Sequence, residues 1–434
     1  MRKVNDSMVQ VCGRVVLAVF FMTAAALVFS PVKSARAADL FTLTVTSEGE
    51  VYTQGFSSVA DMIDNFDGNA IVAHIPAYTD NSAVDATLFY RGLPFTATMG
   101  ASGAAIHLVC DAIGVDVLFS GATRDESLDL LEDWFKGEGQ EALTKMARYL
   151  AQNTPTDPIA GNPTSLMGNL VKNDFNVGFM DRATEIAPEV VAPPRPAPGE
   201  RQVNANLIAL KANIGTVQMG DFKGSYYKLP LSYTFRSNQD PRRQLKISLP
   251  LAMLETAGAR TYNAGFGIAV SLPVNKLWVL TPAANYSLVG SVDMGSAAQM
   301  ISASLTSALS LESGKFTFNI GNMVGYYQTL KFQYSGYAFD PKINNTVLRN
   351  GLMISTPISR RFVIEIFVTD TRYFGTDLFI DQYNEGGFAF GYAKAFSKKK
   401  QGKVVNYLRS LRIGATYIFA KDYNAWQANF GFVF

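Results

Sequence analysis

Histidine and cysteine are nearly absent from this chain, with 2 of each in 434 residues. The histidines are His74 and His107, so residues 203–434 contain none. That excludes a hydrolase built on a Ser-His pair anywhere in the second half. The sequence also lacks an HExxH pair, a Cys/His cluster at zinc spacing, a GxSxG elbow, a phosphate-binding glycine loop and an EF-hand loop. It therefore offers no catalytic, cofactor-binding or metal-ligating constellation. Long apolar runs are missing as well. Val15 to Phe29 is too short for a comfortable helical span, and no later stretch approaches the roughly 18 consecutive apolar residues that one needs.

That one apolar run follows Arg2, Lys3 and Arg14 and leads to Ala35-Arg36-Ala37, a small-x-small cleavage site. Residues 1–37 read as a secretory signal peptide. Cys12 precedes the run, so it is not placed as an acylated lipoprotein cysteine. Cleavage leaves Cys110 alone, which rules out an intramolecular disulfide although an exported environment would permit one. Stability must come from packing and strand pairing.

A composition of 48 % hydrophobic, 12 % aromatic and 17 % charged residues is compatible with both a soluble domain and a barrel of alternating strands. Charge distribution is more telling. Residues 38–202 hold 9 Lys+Arg against 23 Asp+Glu, whereas 203–434 hold 24 against 12, giving −14 and +12. Two domains with different surroundings, or two that attract one another, would produce such a split. Five prolines between Ile186 and Glu200 mark a stiff linker at 186–201.

Residues 38–185 read as a small α+β domain. Phe41, Leu43 and Val45 alternate with threonines, and Ile71 to Ile75, Ala86 to Tyr90, Phe95 to Met99, Ile106 to Cys110 and Val115 to Phe119 read as further strands. Thr123-Arg124-Asp125-Glu126 is a capping box opening a helix that Gly137 stops, and a second helix carries Leu143, Met146 and Leu150. His107 and Asp111 share a strand face, which the sequence assigns to an exposed polar surface. Cys110 falls on the buried face.

Beyond the linker, residues 202–434 break into about twelve segments of alternating hydrophobicity, each about ten residues long, the length a transmembrane β-strand needs. Among them are Asn206 to Met219, Phe388 to Phe396 and Tyr407 to Phe419. The first is the most ambiguous, because Gln202 to Ala212 reads equally well as a helix. Connections at 273–276, 312–314 and 359–361 are tight, and those at 290–297, 330–347 and 374–387 are long. The two kinds alternate, as the two sides of a membrane barrel do, with both barrel ends on the periplasmic side. Lys398, Lys399, Lys400 and Lys403 then fall in a periplasmic turn, suited to solvent or anionic headgroups rather than nucleic acid. In the last strand Phe430, Phe432 and Phe434 share one face, while Gln427, Asn429 and Gly431 occupy the other. The expected architecture is an all-β transmembrane antiparallel barrel preceded by a small α+β exported domain.

A terminal Phe preceded by alternating aromatics resembles the C-terminal signature of bacterial outer-membrane barrels. The layout of signal peptide, exported domain, linker, possible helix and twelve-stranded barrel resembles the autotransporter translocator family. That resemblance implies a Gram-negative outer-membrane protein, with Phe430, Phe432 and Phe434 as a barrel-insertion signal. Its implied partners are the lipid bilayer, the barrel-insertion machinery and periplasmic chaperones. It implies a barrel that anchors or translocates the first domain. The alternative is a porin-like channel whose acidic first domain stays periplasmic or plugs a basic lumen. The small, non-repetitive first domain departs from the family pattern.

Overall fold

The structure is a computed structural model that describes residues 39–66, 68–181, 207–237, 239–240, 242–334, 337–359, 362–392 and 411–433. The expected signal peptide, the proline-rich linker, the Lys398–Lys400 and Lys403 cluster, and Phe434 lie outside the described residues.

Residues 39–153 form a sheet-and-helix cap. Six antiparallel strands run in the order β2-β1-β3-β4-β5-β6, comprising β1 (Phe41–Ser47), β2 (Glu50–Phe56), β3 (Val84–Tyr90), β4 (Leu93–Met99), β5 (Ile106–Cys110) and β6 (Val115–Phe119). Strand β1 shows why: Phe41, Leu43, Val45 and Ser47 are buried and the threonines between them are not. Arg91 and Gly92 join β3 to β4 with φ of 51° and 91°, the pair of positive values that a two-residue hairpin turn needs. Helices α1 (Val59–Asp64) and α2 (Gly68–His74) lie between β2 and β3, and α3 (Arg124–Lys136) and α4 (Gln140–Asn153) follow β6. The Thr123 hydroxyl accepts from the Glu126 N–H, and Gly137 closes α3 as its sequence requires.

The strand expected at Ile71 to Ile75 is instead helix α2 and the residue after it. Ile71 and Ile75 are buried while the three residues between them are exposed. That is the period of a helix, and a run rich in β-branched residues concealed it.

Twelve antiparallel strands then close into a barrel, β7 (Leu207–Met219) pairing with both β8 and the last strand, β20 (Tyr423–Val433). Between them come β8 (Phe222–Arg236), β9 (Gln244–Thr256), β10 (Ala259–Pro273), β11 (Trp278–Ser291), β12 (Ser296–Ser313), β13 (Phe316–Leu330), β16 (Asn344–Pro357), β17 (Phe362–Gly375), β18 (Gln382–Tyr392) and β19 (Arg412–Ala420). A small hairpin, β14 (Phe332–Tyr334) and β15 (Tyr337–Phe339), projects between β13 and β16. Both chain ends of the barrel lie at one end, here the terminal end. The other is the cap end.

Positions 207–212, which read equally well as helix, are strand, in keeping with the segment assigned from Asn206 to Met219. Two details differ from the sequence reading. Strand β18 starts at Gln382, six residues before the expected Phe388, because its first half directs Tyr383 and Glu385 inward and carries Gly386 and Gly387, leaving little outward hydrophobicity to detect. The alternation of connection lengths is also incomplete: the connection expected to be long at 290–297 is only 292–295, no longer than 274–277 at the other end, and residues 220–221, 257–258 and 421–422 at the cap end are two-residue turns. Two of them lie against the cap side of the chain: a Cβ on Gly258 would approach Ser57, and one on Gly220 would approach Pro155. Short turns let the cap settle onto the rim.

Candidate functional site

From α4 the chain turns into the barrel. The Phe379 N–H donates to the Ala151 carbonyl at 3.0 Å and the Ile380 N–H to that of Gly161 at 3.1 Å, fixing this segment at the cap-end rim. Helix α5 (Leu166–Phe175) continues through a wider π-type turn to Met180. Every residue of α5 is buried, charged ones included. Ser165 caps it by accepting from the Gly168 N–H, and Asn162 holds the approach by accepting from the Thr164 N–H and hydroxyl. At its far end Asp181 pairs with Lys211 near the start of β7 and, at 2.9 Å, with Lys246 near the start of β9. The segment thus runs from the cap end toward the terminal end.

Polar wall residues explain how a helix carrying Asn, Lys and Asp is buried on all sides. The Asp174 carboxylate accepts from Asn285 Nδ2, from the Ser302 hydroxyl at 3.2 Å and from the Tyr327 hydroxyl at 2.8 Å. Tyr226 donates to Asn169 Oδ1. Asn169 and Asp174 are tolerated in burial because each finds partners across the gap. Two rings supply the apolar contact. Phe175 and Phe179 lie on successive turns with centroids 5.1 Å apart, and the wall is hollowed for them by glycine. A Cβ on Gly321 would overlap the Phe179 ring, and one on Gly351 would come within 2.8 Å of Phe175 Cζ. The Arg349 guanidinium sits 5.0 Å from the Phe175 centroid, and Glu385 holds it from behind.

The cap docks on the same end. The Tyr90 hydroxyl donates to the Met294 carbonyl, the Val59 N–H to the Asp293 carbonyl at 2.8 Å, and Arg91 Nη1 to the Ser296 hydroxyl at 2.9 Å. Met294 and Ala259 of the barrel rim belong to the cap's own apolar core. Arg91 also pairs with Asp157 at 2.7 Å, both buried, and Asp157 further accepts from the Ile159 and Ala160 N–H groups. Burial raises the Asp157 carboxyl above the usual range, against the lowering pull of Arg91 and those N–H groups. Such a pair fixes a docking geometry more than it adds stability.

Outside, the strands turn apolar side chains to the surroundings. Tyr262 and Trp426 toward the cap end and Phe362 and Phe390 toward the terminal end are 44 to 60 % exposed, and between them lie exposed Ile268, Leu305, Val324 and Ile366. An aliphatic band between aromatic girdles around a polar interior is the pattern of a transmembrane barrel. The chain is a closed twelve-stranded β-barrel with the surface of a transmembrane one. No family model and no curated protein matches the sequence. Among solved structures the chain is similar to the translocator domain of the autotransporter NalP from Neisseria meningitidis, with 9 % identity, 62 % of this chain and 96 % of that chain covered and a TM-score of 0.41. It is similar also to the β domain of the Bordetella autotransporter BrkA, at 11 % identity, coverage of 53 % and 99 %, and a TM-score of 0.39. A COG4313 outer-membrane channel from Pseudomonas putida F1 gives 14 % identity, 55 % and 100 % coverage, and a TM-score of 0.34. Autotransporters and channels both appear, and scores of this size carry no argument between them. The barrel rests on its own strand pairing.

The residues singled out by sequence fall as follows. Phe430 faces outward on β20, 38 % exposed, opposite buried Gln427. Phe432 is also on β20. His107 is exposed and within 2.6 Å of Asp116 rather than Asp111, which begins a short 3-10 turn. Cys110 is buried in the cap core, where burial pushes its thiol up. Sequence reading missed α5 altogether. Its signals were Ser165 as a cap and Phe175 with Phe179 at i, i+4.

Proposed function

We propose that the barrel anchors the 39–153 unit on the outer face of the outer membrane, in the manner of an autotransporter translocator, and that residues 155–181 are the last stretch of translocated chain, retained as a seal. The observation that carries this is the path of the chain. The cap sits at the end opposite the barrel's own termini, and the connecting segment passes through the lumen. With both barrel termini on the periplasmic side, that path leaves the cap outside. A signal peptide at 1–37 would deliver the chain to the periplasm, chaperones would keep it unfolded there, and the aromatic face of Phe430, Phe432 and Phe434 would engage the insertion machinery. Protease treatment of intact cells should degrade the cap while leaving the barrel, and a cap protected until the outer membrane is permeabilised would refute the proposal.

A second reading, a channel held closed by residues 155–181, is favoured by the polar wall and by the cationic space beside α5. Planar-bilayer recording separates the two. A channel regulated by its plug opens spontaneously in the full-length protein and passes anions preferentially once residues 39–181 are deleted, whereas a permanent seal leaves the full-length protein silent.

A further inference from the structure

Helix α5 leans on β11, β12 and β13, which leaves a cavity of about 200 Å³ against the opposite wall, lined by β7, β8 and β16 to β20. Three carboxylates line it, and each is matched. Asp181 holds Lys211, Glu385 holds Arg349, and Glu365 holds Arg412 at 3.0 Å. Two more cations line the same space, Lys172 from α5 and Lys228 from β8. They are 7 % and 8 % exposed, and among the described residues neither reaches a carboxylate. The nearest groups show that both ammonium groups lie by one turn of α5: Lys228 Nζ is 3.5 Å from the Asn169 carbonyl, and Lys172 Nζ is 5.5 Å from the centroid of Tyr226, the ring that donates to Asn169. Among the described residues, Arg349 Nε and Gln427 Nε2, from residues lining the same cavity, are buried donors without an acceptor, and Glu385 Oε1 on the same lining is a buried acceptor without a donor.

Two cations without a carboxylate and two orphan donors buried around one cavity carry a desolvation cost that an anion accepting from them would offset. We propose that this cavity is a binding site for a small doubly charged oxyanion, of phosphate or sulfate size, which bridges Lys172 of the luminal segment to Lys228 of the wall. Its charge matches the two unpaired cations, and a space of about 200 Å³ exceeds the roughly 30 Å³ share of one water several times over. Because one ligand contact comes from the luminal segment and the other from the barrel, the anion acts as a clamp. Its binding and the retention of the segment are linked equilibria.

The test uses full-length protein in detergent, with radiolabelled sulfate in equilibrium dialysis at constant ionic strength held by chloride. One saturable site per chain is expected, weakened about tenfold or more in Lys172→Met and in Lys228→Met but unchanged in Lys315→Met, which removes an exposed turn cation. The rise in melting temperature in sulfate over chloride should be larger in the wild-type protein than in Lys172→Met or Lys228→Met, and an equal rise in all three is the general salt effect and counts against the site. No saturable binding at millimolar sulfate, or equal loss in the Lys315→Met control, would overturn the site. A crystal soaked in selenate decides independently of whether the variants fold. An anomalous peak between the two lysines supports the proposal, and a featureless cavity refutes it.

Discussion

Replacing Phe179 by alanine removes the ring that fills the hollow over Gly321. The site cannot collapse easily, because the hollow is backbone of a paired strand, Gly321 standing opposite Ala308 and Gly351 in the register. A buried Phe→Ala change of this kind costs about 3–5 kcal/mol. Charged against the local opening of the luminal segment, that is an increase of about a hundredfold to a few thousandfold in the open population. The assay is amide hydrogen exchange of α5 in detergent, where the exchange rate under fast reclosing tracks that population. Filling the hollow from the wall with Gly321→Leu should loosen the segment as well, because the new side chain occupies the ring's place. The double variant provides the decisive comparison. A leucine on the wall facing an alanine on the segment restores much of the lost volume, so the two changes together should expose α5 less than their separate costs predict. Strict additivity would refute the account of the segment as a knob seated in a glycine hollow.

Other consequences follow from the cap and the last strand. Arg91→Ala leaves the Asp157 carboxylate buried without its cation and should weaken cap docking by about 3–5 kcal/mol, whereas Arg91→Met with Asp157→Leu should recover most of it; limited proteolysis of the cap reads both. Cys110 should resist maleimide at neutral pH until the cap unfolds, since it is buried and its thiol is raised. Rapid labelling of the native protein would contradict that placement. Phe430→Ser with Phe432→Ser should lower the amount of barrel in the outer membrane without altering the cap, and unchanged levels would remove the insertion-signal reading.

The barrel was legible because its constraint is written twice, in strands of matching length and in alternating polarity. Where one of the two is absent the reading slipped. Strand β18 opens with Gln382-Tyr383-Asn384-Glu385, of which Tyr383 and Glu385 serve the lumen, and the following Gly386 and Gly387 add nothing apolar to the outer face. Helix α2 carries Ile71 and Val72 and is followed by Ile75, residue types that favour strands, and only burial reveals the four-residue period. Helix α5 has no apolar stripe to find. A helix enclosed by a polar wall is under no pressure to separate its faces, so Asn169, Lys172 and Asp174 occur beside Phe175 without implying a solvent side. The charge split of −14 and +12 left open two bodies in different surroundings or two that attract one another. Yet the described contact relies mainly on hydrogen bonds and packing, and Asp181 is where opposite charges from the two halves meet.

A cap carried through the barrel must lie on the outer side of the membrane. An epitope inserted at the exposed turn between Ala101 and Ser102, and a second in the connection 358–361, can be stained with antibody in intact and in permeabilised cells. The cap epitope should stain on intact cells and the connection epitope only after permeabilisation. A cap epitope that stains only after permeabilisation would contradict a cap carried through the barrel to the outer face.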